Sequence, residues 1–185
     1  MKEKNPSTLP SEFSEEEKEQ LVEEVQRDKE LADESNPSNL LVRGALLRCS
    51  CGTHPRRLNL PKSYGVYATD KGHPKVHQEN CKVGDTNNIS YYGVCKSNCK
   101  PEGSCQICLE PYVTMEGKKT STSKIEGNKC VPVIIGNWFE PKEDDMIYDM
   151  DVKKHFPCLT ANSFLVCKYG GVIEVITSGQ EFKEE

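Results

Sequence analysis

Ten cysteines and four histidines supply the side chains best suited to chemistry in this 185-residue chain. Thiolate and imidazole are the usual zinc ligands, about four to an ion in a tetrahedron and often given in close pairs. Three local groupings have suitable spacing. Cys49-x-Cys51-x-x-His54 puts three donors on one strand end and its turn, and Cys105-x-x-Cys108 has knuckle spacing with Cys95 and Cys99 upstream. His73, His77 and Cys81 recur every four residues, but Gly72 and Pro74 oppose the helix that would align them. Each grouping also has an ordinary reading. Cysteine is small and readily buried, and alternation along a strand sends Cys49 and Cys51 to opposite faces unless the strand breaks there. Histidines in a polar turn are by default surface residues, and His155 has no ligand partner near it in sequence.

Catalytic signatures are lacking. The chain has no G-x-S-x-G, H-E-x-x-H, P-loop or G-x-G-x-x-G pattern, and no zinc-deaminase signature. Glu140, Glu143, Asp144, Asp145, Asp149 and Asp151 are dense enough to bind a cation, although such a run around a turn is more often a solvated face. The expectation is a protein that is not an enzyme, with a metal-dependent hydrolase using this acidic group as the weakest alternative.

The cysteines also bear on compartment. The opening MKEKNPSTLPSEFSEEEKEQ has no apolar h-region, and no run of about 20 apolar residues offers a membrane span. Synthesis in a reducing cytoplasm is therefore expected, where thiols favour metal ligation or burial over disulfides. A net charge of −5 leaves no electrostatic footprint for nucleic acid.

That charge is unevenly placed. Residues 15–34 hold ten acidic and three basic side chains while residues 1–14 balance, so removing this −7 leaves about +2 on the remainder. The acidic stretch reads as a helix: Ser14 is a good N-cap, Glu17 completes a capping box, and Glu15 to Glu17 suit the helix dipole. Its apolar stripe is narrow (Leu21, Val22, Val25 and Leu31), as in a solvated tail helix or a docking segment. Asn36-Pro37-Ser38-Asn39 then serves as a linker. The expected organisation is an acidic, partly helical or disordered extension over 1–39 and a β domain over 40–185.

From Leu40 onward short apolar runs alternate with Gly- and Pro-rich breaks. Strands are predicted at 40–42, 44–49, 64–67, 89–92, 131–135, 164–167 and 172–176, with a short helix possible in 142–156. Three of these segments set a cysteine beside a turn, at Cys49, Cys95 and Cys167, which suggests similar hairpins folding round one point. The fold class is mainly β.

In this order the segments resemble the PAAR-like family, long carried as a domain of unknown function. Gly44 to Gly52 (GALLRCSCG) is similar to its opening, and Leu58-Asn59-Leu60-Pro61 and Gly65-Val66-Tyr67 to its next strands. Asn88 to Ser97 resembles its Ile-x-x-Phe-Gly-x-Cys segment, with Tyr92 in place of Phe, and Cys130-Val131-Pro132 followed by Trp138 its Cys-x-Pro…Trp motif. Leu159-Thr160, Ser163 to Gly171, Val172 to Val175 and Ser178-Gly179-Gln180 resemble its close, so the likeness covers about 40–181. It implies a compact conical β fold of short strands and hairpins, kin to the PAAR tips of type VI secretion and phage-tail-like injection machines.

Carried onto this chain, the cysteines at matching motif positions are Cys49, Cys95, Cys130 and Cys167. The resemblance thus implies a closed structural zinc site of four thiolates. The mixed His/Cys set of ordinary PAAR tips is not recognisable here, and Cys51 with nearby His54 is the first substitute. The implied role is a structural tip on a trimeric spike protein. It aids membrane puncture, meets the target membrane only transiently, and holds an effector or baseplate component through its acidic helix. Made in the cytoplasm, such a tip is assembled into the apparatus and delivered outward. The alternative is a free-standing, cysteine-rich zinc-binding interaction domain that recruits partners through residues 1–40.

Overall fold

The computed structural model describes residues 16, 19–23, 39–69, 72–98, 105–110 and 124–180. Its strands are β1 (Leu46–Cys49), β2 (Arg56–Arg57), β3 (Gln106–Leu109), β4 (Ile125–Asn128), β5 (Lys142–Asp149), β6 (Lys154–Cys158), β7 (Phe164–Val166) and β8 (Val172–Thr177). One four-stranded sheet runs in the order β2-β1-β8-β7, and β3–β4 and β5–β6 form separate two-stranded ribbons. Every strand pairing is antiparallel. The protein is mainly β.

The longest strand of that sheet, β8, is Val-Ile-Glu-Val-Ile-Thr, a β-branched run suited to a pleated, half-buried surface. It pairs β1 from Leu47↔Val175 to Cys49↔Ile173, leaving Cys49 at the strand's end. The main core gathers Leu41, Leu47, Leu58, Trp138, Leu159, Leu165 and Ile173. Trp138 satisfies its buried indole N–H on the carbonyl of Asn80 at 3.0 Å. Burying aromatic and aliphatic side chains of this size stabilises by about 1.5–3 kcal/mol each.

Much of the body is extended chain without continuous ladders. Isolated bridges join Leu40 to Thr160, Val42 to Lys75, Gly52 to Cys95, Val94 to Lys129 and Ile134 to Cys167. The expected strands at 40–42, 64–67, 89–92 and 131–135 are of this kind, touching partners at single residues. Those at 44–49, 164–167 and 172–176 correspond to β1, β7 and β8.

Two corrections follow. Residues 142–158 are not a helix but the β5–β6 hairpin, with Ile147 inward and Met146 and Tyr148 outward. This period-two pattern lay under a high density of charge. The β3–β4 ribbon was not expected at all, since Ile125-Glu126-Gly127-Asn128 carries a single β-branched residue.

Glu16 and residues 19–23 are helical. Ser14, Glu17, Val25 and Leu31 lie outside the described residues. Leu21 and Val22 are only partly exposed, because they pack on a third cluster of Phe164, Val166 and Val172, with Ile135 and Phe139 beside them. The part of the acidic segment that is described rests on the β body and is not a freely solvated tail.

Candidate metal centre

Four separate stretches of chain bring thiols to one place. Cys49 closes β1, and the chain turns at once, Gly52 N–H donating to the Cys49 carbonyl at 2.9 Å. The Gly52↔Cys95 bridge lays a second stretch alongside, and Lys96 N–H donates to the Cys51 carbonyl at 2.7 Å. Residues 92–93 grip the third through Tyr92 N–H to the Cys130 carbonyl (2.9 Å) and Cys130 N–H to the Gly93 carbonyl (2.7 Å). Ile134↔Cys167 ties in the fourth. Cys49, Cys130 and Cys167 are buried, and Cys51 and Cys95 half-buried.

Within this cluster the Cys130 thiol is in side-chain hydrogen-bonding reach of both Cys49 and Cys95. Its pKa is driven far up by those two sulfurs and by burial. The partners move the other way. The hydrogen bond from Cys130 lowers the pKa of Cys49, burial opposes it, and the N–H groups of Cys51 and Gly52 help it. Cys95 is lowered by Cys130 first and then by the Ser97 N–H, again against burial. Of these three sulfurs, Cys49 and Cys95 also have backbone N–H donors that favour negative charge.

Cys167 stands beside them, close enough to feel the charge of Cys49 and Cys95. Its sulfur accepts the Val133 N–H at 3.4 Å, while burial raises its pKa. Cys51 is raised by burial and by the charge of Cys49. A fifth thiol thus borders the four that the family motif positions select.

Soft sulfur donors with N–H···S support fit a thiophilic ion such as zinc by donor chemistry. Space is shaped around them as well: a Cβ on Gly171 would stand 2.8 Å from Cys49 Sγ and 3.6 Å from Cys167 Cβ. As placed, no group of three or more His, Cys, Asp or Glu among the described residues could hold a metal ion. Every described cysteine is a free thiol.

The remaining candidates do not converge. His54 is buried with both ring nitrogens engaged: Nε2 donates to the Glu110 carbonyl (2.8 Å) and Nδ1 accepts from the Thr53 hydroxyl (2.8 Å). Cys105 and Cys108 are exposed on the β3 ribbon, and Cys99 lies outside the described residues. Cys81 hydrogen-bonds Asn137 Oδ1 at 3.7 Å, away from the cluster. His155 is exposed against Tyr148, as expected.

The acidic run is spread along the hairpin. Lys75 pairs with Asp145 (2.6 Å), Lys142 with Asp144 (3.3 Å) and Lys62 with Asp151 (2.6 Å), so these carboxylates face lysines and not a common point. His73 and His77 are buried, against the expectation of surface residues. The signal that sequence reading lacked was tertiary, because the walls around His77, Tyr64 and Phe156, are remote in the chain.

Residues 41–180 match the family described as Domain of unknown function (DUF4280). No curated protein and no solved structure matches the chain. The match takes in β1 to β8 and all five clustered cysteines, and the chain belongs to this family.

Proposed function

We propose that this member of the family is a structural tip protein, which caps the trimeric spike of a contractile injection apparatus and ties its body together with one zinc ion. The observation that carries the reading is the meeting of Cys49, Cys95 and Cys130, with Cys167 beside them, from four stretches far apart in sequence. The motif resemblance selects the same four positions, and a body joined largely by single bridges needs a crosslink of this kind. When bound, zinc supplies a closed, redox-inert tie. This chain's residues supply the rest: four sulfurs, the N–H groups of Gly52, Ser97, Tyr169 and Val133 that favour thiolate, and the space over Gly171.

The role is mechanical. A narrow β cone on the end of the spike concentrates contraction force on a small area of target membrane. The chain is made in the cytoplasm, assembled onto the spike and carried outward with it, and an effector or baseplate component takes the acidic segment. The hydrolase reading has less support, because its carboxylates are spread over lysine partners. The adaptor reading has less as well, because Leu21 and Val22 already rest on the body.

The test is co-purification with a trimeric spike, joined to metal analysis and thiol counting on the native protein. One tip per three spike chains, one zinc per tip and protection of four thiols are the expected results. Ten freely titrating thiols without metal would refute the zinc tie, and a tip that passes through a spike column unretained would refute the cap.

A further inference from the structure

A cleft of about 350 Å³ lies between residues 60–64, residues 77–88 and the β5–β6 hairpin, and shares no residue with the thiol cluster. His77 lines it, 1% exposed, and among the described residues no group lies within hydrogen-bond distance of its Nε2. Leaving a buried polar atom unsatisfied is costly, so it calls for an occupant. The ring cannot turn away. It is held between Tyr64 (ring centroids 4.5 Å apart) and Phe156 (4.9 Å, nearly parallel).

The tautomer follows from a backbone contact. The Glu79 N–H donates to His77 Nδ1 at 3.2 Å, and an amide N–H can only donate. The Nδ1 lone pair is taken, so the neutral ring carries its proton on Nε2. That atom stands 3.6 Å from Asp149 Oδ2, too far for a hydrogen bond. A buried donor and a carboxylate acceptor therefore face each other across a gap.

This pairing selects the ligand. A metal ion needs the Nε2 lone pair, which the proton occupies. An anion meets the Asp149 carboxylate. The lining sets Lys62 and Lys82 against Glu79 and Asp149, and Lys62 is already paired with Asp151, so no positive charge is in excess to select an anion. A hydroxyl satisfies both groups at once, accepting from Nε2–H and donating to Oδ2. Pro61 and Val152 add apolar wall, which suits the C–H face of a ring bearing several hydroxyls.

We propose that the cleft binds a neutral polyhydroxylated ligand, a sugar ring or short saccharide, through one hydroxyl bridging His77 Nε2–H and Asp149. The test uses the full chain and NMR of the His77 imidazole nitrogens during titration with glucose, N-acetylglucosamine and their β-1,4-linked disaccharides. At least one sugar is expected to shift the Nε2 signal saturably, with a dissociation constant of about 1 mM or tighter. Asp149→Ala is expected to weaken that binding tenfold or more with the remaining amide spectrum preserved. Asp149→Asn, which keeps the side-chain shape, should weaken it less and serves if the alanine variant misfolds. An Nε2 signal indifferent to every sugar would overturn the proposal and leave a bridging water as the occupant, and so would equal affinity in the Asp149 variants. The zinc reading stands or falls separately.

Discussion

Gly171 sets the tightest steric limit on the thiol cluster. The 2.8 Å approach of a Cβ there to Cys49 Sγ is closer than real Cβ contacts come, so Gly171→Ala must displace the sulfur or the 167–171 turn. Overpacking of this kind costs about 1–3 kcal/mol. At roughly 2–4 °C per kcal/mol for a chain of this size, calorimetry should show a fall of several degrees in Tm. A variant as stable as the parent would mean that the turn yields freely. His77 provides a second test, through pH. Burial lowers its pKa, with Asp149 opposing, so the unfolded chain takes up a proton at higher pH than the folded one. Its contribution is full above the ordinary value of about 6.5 and is lost as pH falls below it toward the folded pKa. Urea midpoints followed downward from pH 7.5 should therefore decline below about 6.5, and His77→Gln should flatten that limb. Cys49, Cys95, Cys130 and Cys167 could be singled out in the sequence because residue type and motif position both mark them. The burial of His77 was not, because no local pattern announces walls built by Tyr64 and Phe156.

Of the strands that pair continuously, β1, β7 and β8 were readable in the sequence, while the β3–β4 ribbon and the β5–β6 hairpin were not. Phe164-Leu165-Val166 and Val172 to Thr177 are apolar and β-branched, and both are strands of the main sheet. Val131 to Ile135 looks equally strand-like, yet only Ile134 forms a bridge, as Pro132 has no N–H to give a ladder. The hairpin at 142–158 was obscured by carboxylates whose partners, Lys62 and Lys75, come from elsewhere in the chain. The helical residues show the converse. Their narrow stripe read as that of a solvated tail helix or a docking segment, and Leu21 and Val22 pack with Ile135 and Phe139 on Phe164, Val166 and Val172. Replacing both, Leu21→Lys with Val22→Lys, should cost about 1–2 kcal/mol, less than full burial of two such side chains because each is only partly covered. Hydrogen exchange at Phe164–Val166 should quicken accordingly. Unchanged exchange there would show that the contact contributes nothing to the stability of β7.

At the scale of the whole molecule the question is what makes one sheet, two ribbons and several single bridges unfold together. The apolar clusters bind parts of the body, with Leu47, Trp138, Leu159 and Ile173 spanning its middle. The β3–β4 ribbon has little of this, since Ile107, Leu109 and Ile125 are only partly buried. Besides the His54–Glu110 contact, it joins the core through Val94↔Lys129 and so through the segments that carry Cys95 and Cys130. A metal tie from Cys49 to Cys167 closes three long loops, and closing loops removes entropy chiefly from the unfolded chain. On the proposed reading, chelation should lower Tm by about 10 °C, taking the tie as worth about 3–5 kcal/mol at 2–4 °C each. A reductant alone should change nothing, since the described cysteines are free thiols and hold no disulfide to break. Cys130→Ser should begin near the chelated value and respond little to chelator, because both changes remove the same tie and their effects do not add. Calorimetry with and without chelator on both proteins reads all of this. A parent protein indifferent to chelator, or a Cys130→Ser variant that loses as much again when chelated, would leave the thiol cluster as buried packing and return the cohesion of the fold to its apolar core.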